Sequence, residues 1–298
     1  MTGTGGAWIW VEAARPRTLS ASVAPVLVGT AAAVGGTAGG RLIAWRLVAA
    51  LVVALALQIG VNYANDYFDG IRGVDTPDRV GPRRAVASGL VAPARMRAAM
   101  LAAFAVAGVA GVALAAAAGL GLLLVGLACV AAAIAYSGGP HPYASASMGE
   151  LFVFAFFGLV ATVGSAYVQA GQVMRTAVVA AVPVGLLTTA LLVANNARDI
   201  TTDAAAGKRT LAVRAGRQRT GRLYVALVAG AFAALGLVAL VARSPWPLLA
   251  VLALPLGVAP ARLMTGPAEG APLLPALAGT SRLVLAFAVL LTAGLLLS

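Results

Sequence analysis

All six aspartates of this 298-residue chain fall in two short segments, and only three glutamates add to its acidic residues. Asp66, Asp69, Asp75 and Asp78 lie in NYANDYFDGIRGVDTPDRVGPRRAVASG (62–89), and Asp199 and Asp203 lie in NNARDITTDAAAGKRTLAVRAG (195–216). Side chains three and four residues apart share a helix face. On that rule Asn62, Asp66 and Asp69 line up with Asn65 beside them, and Asn195, Asp199 and Asp203 repeat every four residues with Asn196 at their edge. Each segment then offers a ladder of amide and carboxylate oxygens. Hard oxygen donors suit Mg²⁺, which takes one or two carboxylates and fills its shell with water and phosphate oxygens. Cations follow both ladders: Arg72, Arg79, Arg83 and Arg84 after the first, Lys208 and Arg209 after the second. Arginine forks match phosphate oxygens bidentately, and lysine acts as a point charge. Carboxylates that hold metal and cations that hold phosphate, gathered at one mouth, describe a site for a diphosphate. Loops that only carried solvated charge would not concentrate every Asp and the single Lys in two places.

The elements that must position these ladders are membrane helices. The chain is 61% hydrophobic and 10% charged, with a mean hydropathy of +0.95, whereas soluble domains carry about 25% charged residues. That deficit excludes a soluble two-domain enzyme. A helix crosses the hydrocarbon core with about 20 apolar residues. Nine segments qualify, at 18–38, 44–64, 97–117, 119–136, 150–170, 175–195, 221–242, 246–263 and 279–297, the eighth interrupted by Pro255 and Pro260. The expected fold is an all-α, polytopic membrane bundle of about nine helices, in one domain over residues 1–298. Arg15 and Arg17 before an apolar stretch imitate a signal peptide, but similar stretches recur along the whole chain, so the first is read as a span. With the N-terminus in the cytoplasm, 17 of the 21 basic residues fall on the cytoplasmic side, as the positive-inside rule requires. Both Asp segments then face the cytoplasm, one after the second span and one after the sixth. The net charge of +12 is spread over short loops, which leaves no basic soluble face for nucleic acid. Cys129, alone in an apolar run, reads as packing, and the lone His141 has no neighbours suited to hold a metal.

Four segments together carry a family resemblance: RPRTLSASVAPVLVGTA (15–31), the two Asp segments, and YSGGPHPYASASMGE (136–150). With an N-D-x-x-D motif at Asn65, Asp66 and Asp69 and a D-x-x-x-D motif at Asp199 and Asp203, the chain resembles the UbiA superfamily of intramembrane prenyltransferases. The likeness extends over residues 15–216 and is nearest to the branch that prenylates 1,4-dihydroxy-2-naphthoate in menaquinone synthesis. It departs where superfamily members often carry another Asp, here Gly73, with Asp75 two residues further on.

What the resemblance implies is Mg²⁺-dependent transfer of a polyprenyl group from its diphosphate to dihydroxynaphthoate, with decarboxylation to demethylmenaquinol. Asn65, Asp66 and Asp69 would bind one Mg²⁺ and Asp199 and Asp203 a second, with Asp75 as a further candidate ligand. Asp66, Asp69, Asp199 and Asp203 become the expected catalytic set. Arg72, Lys208 and Arg209 would meet the diphosphate and Arg17 and Tyr136 the acceptor, with Asn62, Asn65 and Asn195 as further substrate-binding residues. The enzyme would sit in the cell inner membrane with its active site facing the cytoplasm. Among weaker features, Glu150 opens a helix where a carboxylate is favourable in itself. Tyr63 and Tyr67 read as interface anchors, Phe152, Phe154, Phe156 and Phe157 as packing or lipid contact, and residues 138–143 as a cap. The rivals are the same chemistry on 4-hydroxybenzoate or homogentisate, and, more remotely, a divalent-cation transporter. A transporter calls for acids near the midplane of several spans, whereas these cluster at one end. A CDP-alcohol phosphatidyltransferase is excluded, because Asp69-Gly70 is not followed by that family's pattern.

Overall fold

The computed structural model describes residues 5–35, 39–74, 81 and 83–298. Within lipid every backbone N–H and C=O must be satisfied inside the segment that carries it, so apolar runs of this length become helices. Six helices are long and apolar enough to cross a membrane: Ala44–Ile71 (span 2), Pro93–Ala118 (span 3), Gly149–Ala170 (span 5), Arg175–Arg198 (span 6), Arg217–Ala242 (span 7) and Ala271–Leu297 (span 9). Two more spans are bent pairs, Gly6–Thr18 with Ser20–Val34 at 54° (span 1) and Trp246–Ala253 with Pro255–Thr265 at 46° (span 8). Gly121–Ser137, with 17 residues, is a shorter apolar helix at the lower limit of length for crossing, and is called span 4 for its place in the chain. The nine segments expected from hydropathy are therefore all helical, in an integral, multi-pass membrane protein.

The departures from straight helices have local causes. Span 1 bends between Thr18 and Ser20, after a stretch in which Arg15 takes a left-handed conformation (φ 53°) and Pro16–Thr18 form a 3-10 turn. Span 8 bends at Pro255, where the ring clashes with the preceding turn. Span 5 widens into π-helix over Phe154–Val160, at the point where Gly158 passes directly over Gly185 of span 6. Such a bulge re-aims side chains and is common beside functional sites.

Span 6 is the axis of the bundle, 72% buried where the other long spans are 28–44% buried. Its Val184, Leu187 and Leu191 join Val28 of span 1, Tyr224 and Leu235 of span 7, and Leu283, Phe287 and Leu291 of span 9 in the main core. Lipid is as apolar as these side chains, so close backbone approach at small residues holds the helices together. Gly29 lies against the Thr162 carbonyl and Gly294 against that of Trp246, with no room for a Cβ at either. Charged staples close the ends. Arg46 donates to the carbonyls of Val168 (2.7 Å) and Ala117 (2.9 Å), ending spans 5 and 3 together. Arg217 donates to Leu263, Met264, Gly266 and Ala268 at 2.6–3.3 Å, and so caps the broken span 8. Spans 2, 3 and 4 pack on a separate small core of Ala64, Met100, Phe104 and Ala133. A cavity is left between this group and spans 1, 5 and 6.

Candidate active site

Span 2 stays helical to Ile71, well past the end expected from hydropathy, so its polar ladder is part of the helix wall. At about 100° per residue, Asn62, Asn65 and Asp69 fall within about 60° of one another, while Asp66 lies about 100° from Asn65. The cavity follows that arithmetic. Asn62, Asn65 and Asp69 line it, together with Arg15, Thr18 and Gln58, around a volume of about 300 Å³. Asn62 is fixed by donating to the Ala14 carbonyl at 2.8 Å. The side-chain oxygen of Asn65 is buried without a hydrogen-bond partner among the described residues.

Asp66 departs from the expected ladder. It is 1% exposed, and its two carboxylate oxygens accept the backbone N–H groups of Ala85 (3.0 Å) and Val86 (2.9 Å). It does not line this cavity. Arg72 departs as well. Its guanidinium donates to the carbonyls of Ser137 (2.8 Å) and Gly139 and lies over the Phe68 ring, so it caps the end of span 4 and does not line the cavity. Asp75, Asp78 and Arg79 lie outside the described residues.

On span 6 the helix breaks for one residue at Asp199 (φ −96°, ψ 7°) and resumes as Ile200–Ala205. The break turns Asp199 back onto its own neighbour. The Arg198 guanidinium donates through Nε to Oδ1 (2.7 Å) and through Nη2 to Oδ2 (2.6 Å), and reaches Asn195 Oδ1 at 3.0 Å. Two buried partners held as a planar fork make a strong, directional pair. The short helix ends at Gly207 (φ +74°), a left-handed position that favours glycine. The chain then reverses, with Lys208 N–H on the Asp203 carbonyl. That turn throws the Lys208 ammonium across the cavity, 2.9 Å from Asp69 and 3.9 Å from Asp203. One cation therefore joins the two aspartate segments. Asn195, Asn196, Asp199, Asp203 and Lys208 all line the cavity. Arg209 does not; it is exposed, and its backbone docks the 138–148 loop through Ser145 and Ser147.

Away from this mouth the cavity becomes apolar, lined by Leu57, Val61, Leu114, Leu122 and Val125. A row of rings joins the two regions, with Tyr136, Tyr143, Phe152 and Phe156 at centroid spacings of 5.4, 4.0 and 6.0 Å. Phe152, Phe156 and Phe157 therefore face the cavity, while Phe154 packs on Gly185. Tyr143 donates to the Ala132 carbonyl at 2.9 Å, and burial pushes its phenol above the ordinary value. Glu150 is buried behind this wall and accepts from the Asn196 amide at 3.0 Å. Tyr63 and Tyr67 pack beneath the N-terminal helix with Trp10, as supports of the 85–91 segment.

A second cavity of about 450 Å³ adjoins the first and shares Arg15, Thr18 and Asn195 with it. Arg17, Arg84 and Arg198 line it beside Glu12, with Trp8, Val11, Leu274 and Leu277 as its apolar surface. Arg15 and Arg198 were missed by sequence reasoning as site residues; Arg84, expected among the cations of the diphosphate mouth, lines the second cavity instead, and Glu150, weighed between a helix-end role and a site role, bonds Asn196. The signal for Arg198 was its place beside Asp199, and for Arg84 its place just before the segment that pairs with span 2.

The oxygens of Asn65, Asp69, Asp199 and Asp203 fit a hard divalent cation, and the unpartnered buried Asn65 oxygen marks where one would bind. Among the described residues no three His, Cys, Asp or Glu side chains converge into a closed metal cage. An open set of this kind leaves coordination positions for water and phosphate oxygens, as Mg²⁺ prefers.

The chain matches the model of the UbiA prenyltransferase family over residues 22–271. It is 45% identical to the 1,4-dihydroxy-2-naphthoate octaprenyltransferase of Mycobacterium tuberculosis, over 94% of both chains. To the Escherichia coli protein of the same name it is 36% identical, over 97% of this chain and 95% of that one. In fold it is similar to a UbiA homolog from Aeropyrum pernix K1, with a TM-score of 0.68 at 16% identity over 93% of this chain and 96% of that one. A UbiA homolog from Archaeoglobus fulgidus bound to DMAPP and Mg²⁺ superimposes with a TM-score of 0.60 at 16% identity, over 95% of this chain and 98% of that one.

Proposed function

Because the chain belongs to the UbiA prenyltransferase family, we propose that it transfers a polyprenyl group from polyprenyl diphosphate to 1,4-dihydroxy-2-naphthoate, with decarboxylation, in menaquinone synthesis. The observation that carries this reading is the Lys208 ammonium between Asp69 and Asp203, which brings both aspartate segments to one mouth above an apolar channel.

Asn65 and Asp69 would hold one Mg²⁺, and Asp203 a second, joined by Asp199, which unlike Asp66 lines the cavity, on release from its Arg198 fork. The ions supply Lewis-acid neutralisation of the charge that develops on the departing diphosphate. Lys208 would bind diphosphate oxygens, and its pairs with Asp69 and Asp203 keep the site charge-balanced until the donor enters. The apolar channel holds the isoprenoid tail, and the rings from Tyr136 to Phe156 exclude water from the allylic carbon. When the C–O bond breaks, its electron pair leaves with the diphosphate. The second cavity binds the flat aromatic acid, with its arginines (Arg17 included) on the carboxylate and Trp8 and Leu277 on the ring face. Tyr136 orients the acceptor from the donor side. The ring carbon that bears the carboxylate attacks the allylic carbon. CO₂ then leaves, and the electron pair of its C–C bond restores the aromatic ring. The excess of basic residues at this end supports a cytoplasmic mouth in the cell membrane.

The test is release of diphosphate by the purified protein in nanodiscs with donor and aromatic acid. Chelation of divalent ions is expected to abolish release and added Mg²⁺ to restore it; release that persists under chelation would contradict the metal-assisted reading.

A further inference from the structure

We propose that Asp66 is a positioning residue for the aromatic acceptor and not a metal ligand, in spite of its place in the N-D-x-x-D motif. The inference rests on reading the second cavity as the acceptor's. Both oxygens of the buried carboxylate are engaged by consecutive backbone N–H groups, those of Ala85 and Val86. The residue directly before them, Arg84, is 7% exposed and lines the second cavity. Holding residues 85 and 86 therefore fixes where the Arg84 side chain leaves the backbone.

The rest of the segment is built around that clamp. Ser88 N–H returns to Arg84 O (2.9 Å), Gly89 N–H to Val86 O (3.0 Å) and Val91 N–H to Ala85 O (2.9 Å). Gly89 takes φ +68°, so the turn closes at a residue without a Cβ. One helical turn beyond Asp66, Gly70 lies so close to the Val86 side chain that a Cβ there would collide with it. Ala85, Val86, Val91 and Met96 bury themselves against Ala13 of the N-terminal helix, and Arg83 N–H donates to Glu12 Oε1 at 3.2 Å. The segment that supplies Arg84 is thus tied to span 2 through the Asp66 carboxylate, and the N-terminal helix, which supplies Trp8, Val11 and Glu12 to the second cavity, packs on that segment and is also held to span 2 by Asn62 and Tyr63. A carboxylate that accepts two N–H groups is well suited to this, because charged acceptors make the stronger hydrogen bonds. The two motif acids on span 2 divide the work. Asp69 faces the donor, and Asp66, about 60° from it round the helix, sets the acceptor's arginine.

The experiment compares Asp66→Asn, Arg84→Gln and Asp69→Asn with the parent in nanodiscs. Two quantities are read: the affinity for Mn²⁺ with inorganic diphosphate, by electron paramagnetic resonance, and the separate KM values for donor and acceptor. Loss of a charged hydrogen-bond partner in Asp66→Asn is expected to raise the acceptor KM by about 10-fold or more. Its Mn²⁺ affinity and donor KM should stay close to the parent's and far from those of Asp69→Asn, because both oxygens of Asp66 are taken by backbone N–H groups and the side chain does not line the donor cavity. Arg84→Gln should reproduce the KM rise, and the double variant should be no worse than the poorer single, since both changes break one chain of contacts. Asp69→Asn should weaken Mn²⁺ instead. The proposal is overturned if Asp66→Asn weakens Mn²⁺ as Asp69→Asn does, or if Arg84→Gln, which leaves the clamp itself untouched, keeps the parental acceptor KM. A parent that turns over no aromatic acid would sink the proposed function, and the Mn²⁺ titration would still decide the part played by Asp66.

Discussion

Asp203→Ala is expected to lose about 10³-fold in turnover, the scale on which preorganised charge stabilisation acts, in protein that folds and melts like the parent. Asp203 is the more distant of the two carboxylates that flank Lys208. Lys208 keeps its shorter contact, 2.9 Å to Asp69, and gives up only the 3.9 Å one to Asp203. Asp69→Ala should cost as much in turnover and more in stability, because it takes away the nearer partner of a half-buried ammonium. Asp199 calls for a gentler change. Its carboxylate is the bidentate partner of Arg198, and the two side chains are 2% and 3% exposed. Removing one partner of such a pair leaves a charge in the interior at a cost of about 3–5 kcal/mol, so Asp199→Ala would mix folding with chemistry. Asp199→Asn preserves the shape, and its expected loss is in turnover. The check is steady-state turnover together with thermal unfolding of each variant in the same detergent. Parental turnover in Asp203→Ala would remove the metal-clamp account.

Lys208→Ala is the second large effect, and its sign differs between two measurements. In the metal-free protein the ammonium neutralises Asp69, so a divalent ion must compete with it. Without it, Mn²⁺ alone should bind more tightly. Turnover should nevertheless fall by about 10²-fold, since a cation aimed at the developing diphosphate charge is gone, and the donor KM should rise while the acceptor KM holds. Lys208→Arg should recover part of the loss, because charge is restored but a planar fork replaces a compact point charge. Tighter metal with slower turnover is a pairing that simple misfolding would not give. Weaker Mn²⁺ binding in Lys208→Ala would contradict the competition argument.

How far the sequence reached depended on the kind of order involved. Runs of apolar residues are long-range and redundant, so the helical, membrane-spanning character of about nine segments could be read from them, even the eighth with Pro255 and Pro260 inside it. Meeting of the two aspartate segments at one end was also legible, from the distribution of Arg and the single Lys. What escaped is set by angles of a few tens of degrees. The ladder rule put Asp66 on the same face as Asn62 and Asp69, yet it stands at the face's edge, where the 83–91 segment supplies two N–H groups. Arg72 has the charge and place of a phosphate ligand, but the carbonyls at the end of span 4 lie nearer, and the glycines at 138 and 139 that end this helix were the clue. Arg198 escaped because side chains next to each other on a helix do not face one another. Only the one-residue break at Asp199 allows that pair. The second cavity joins side chains from the N-terminal helix, the 83–91 segment, the end of span 6 and the start of span 9, a juxtaposition that only tertiary structure brings about.

The central claim is an aromatic prenylation in which the acceptor loses its carboxylate. It is tested most directly by mass analysis of the products from purified protein, Mg²⁺, a polyprenyl diphosphate and a panel of 1,4-dihydroxy-2-naphthoate, 4-hydroxybenzoate and homogentisate. The account predicts one prenylated product, from dihydroxynaphthoate, lighter by CO₂ than the simple adduct. Turnover of 4-hydroxybenzoate or homogentisate in place of dihydroxynaphthoate, or a dihydroxynaphthoate product that keeps its carboxylate, would contradict it.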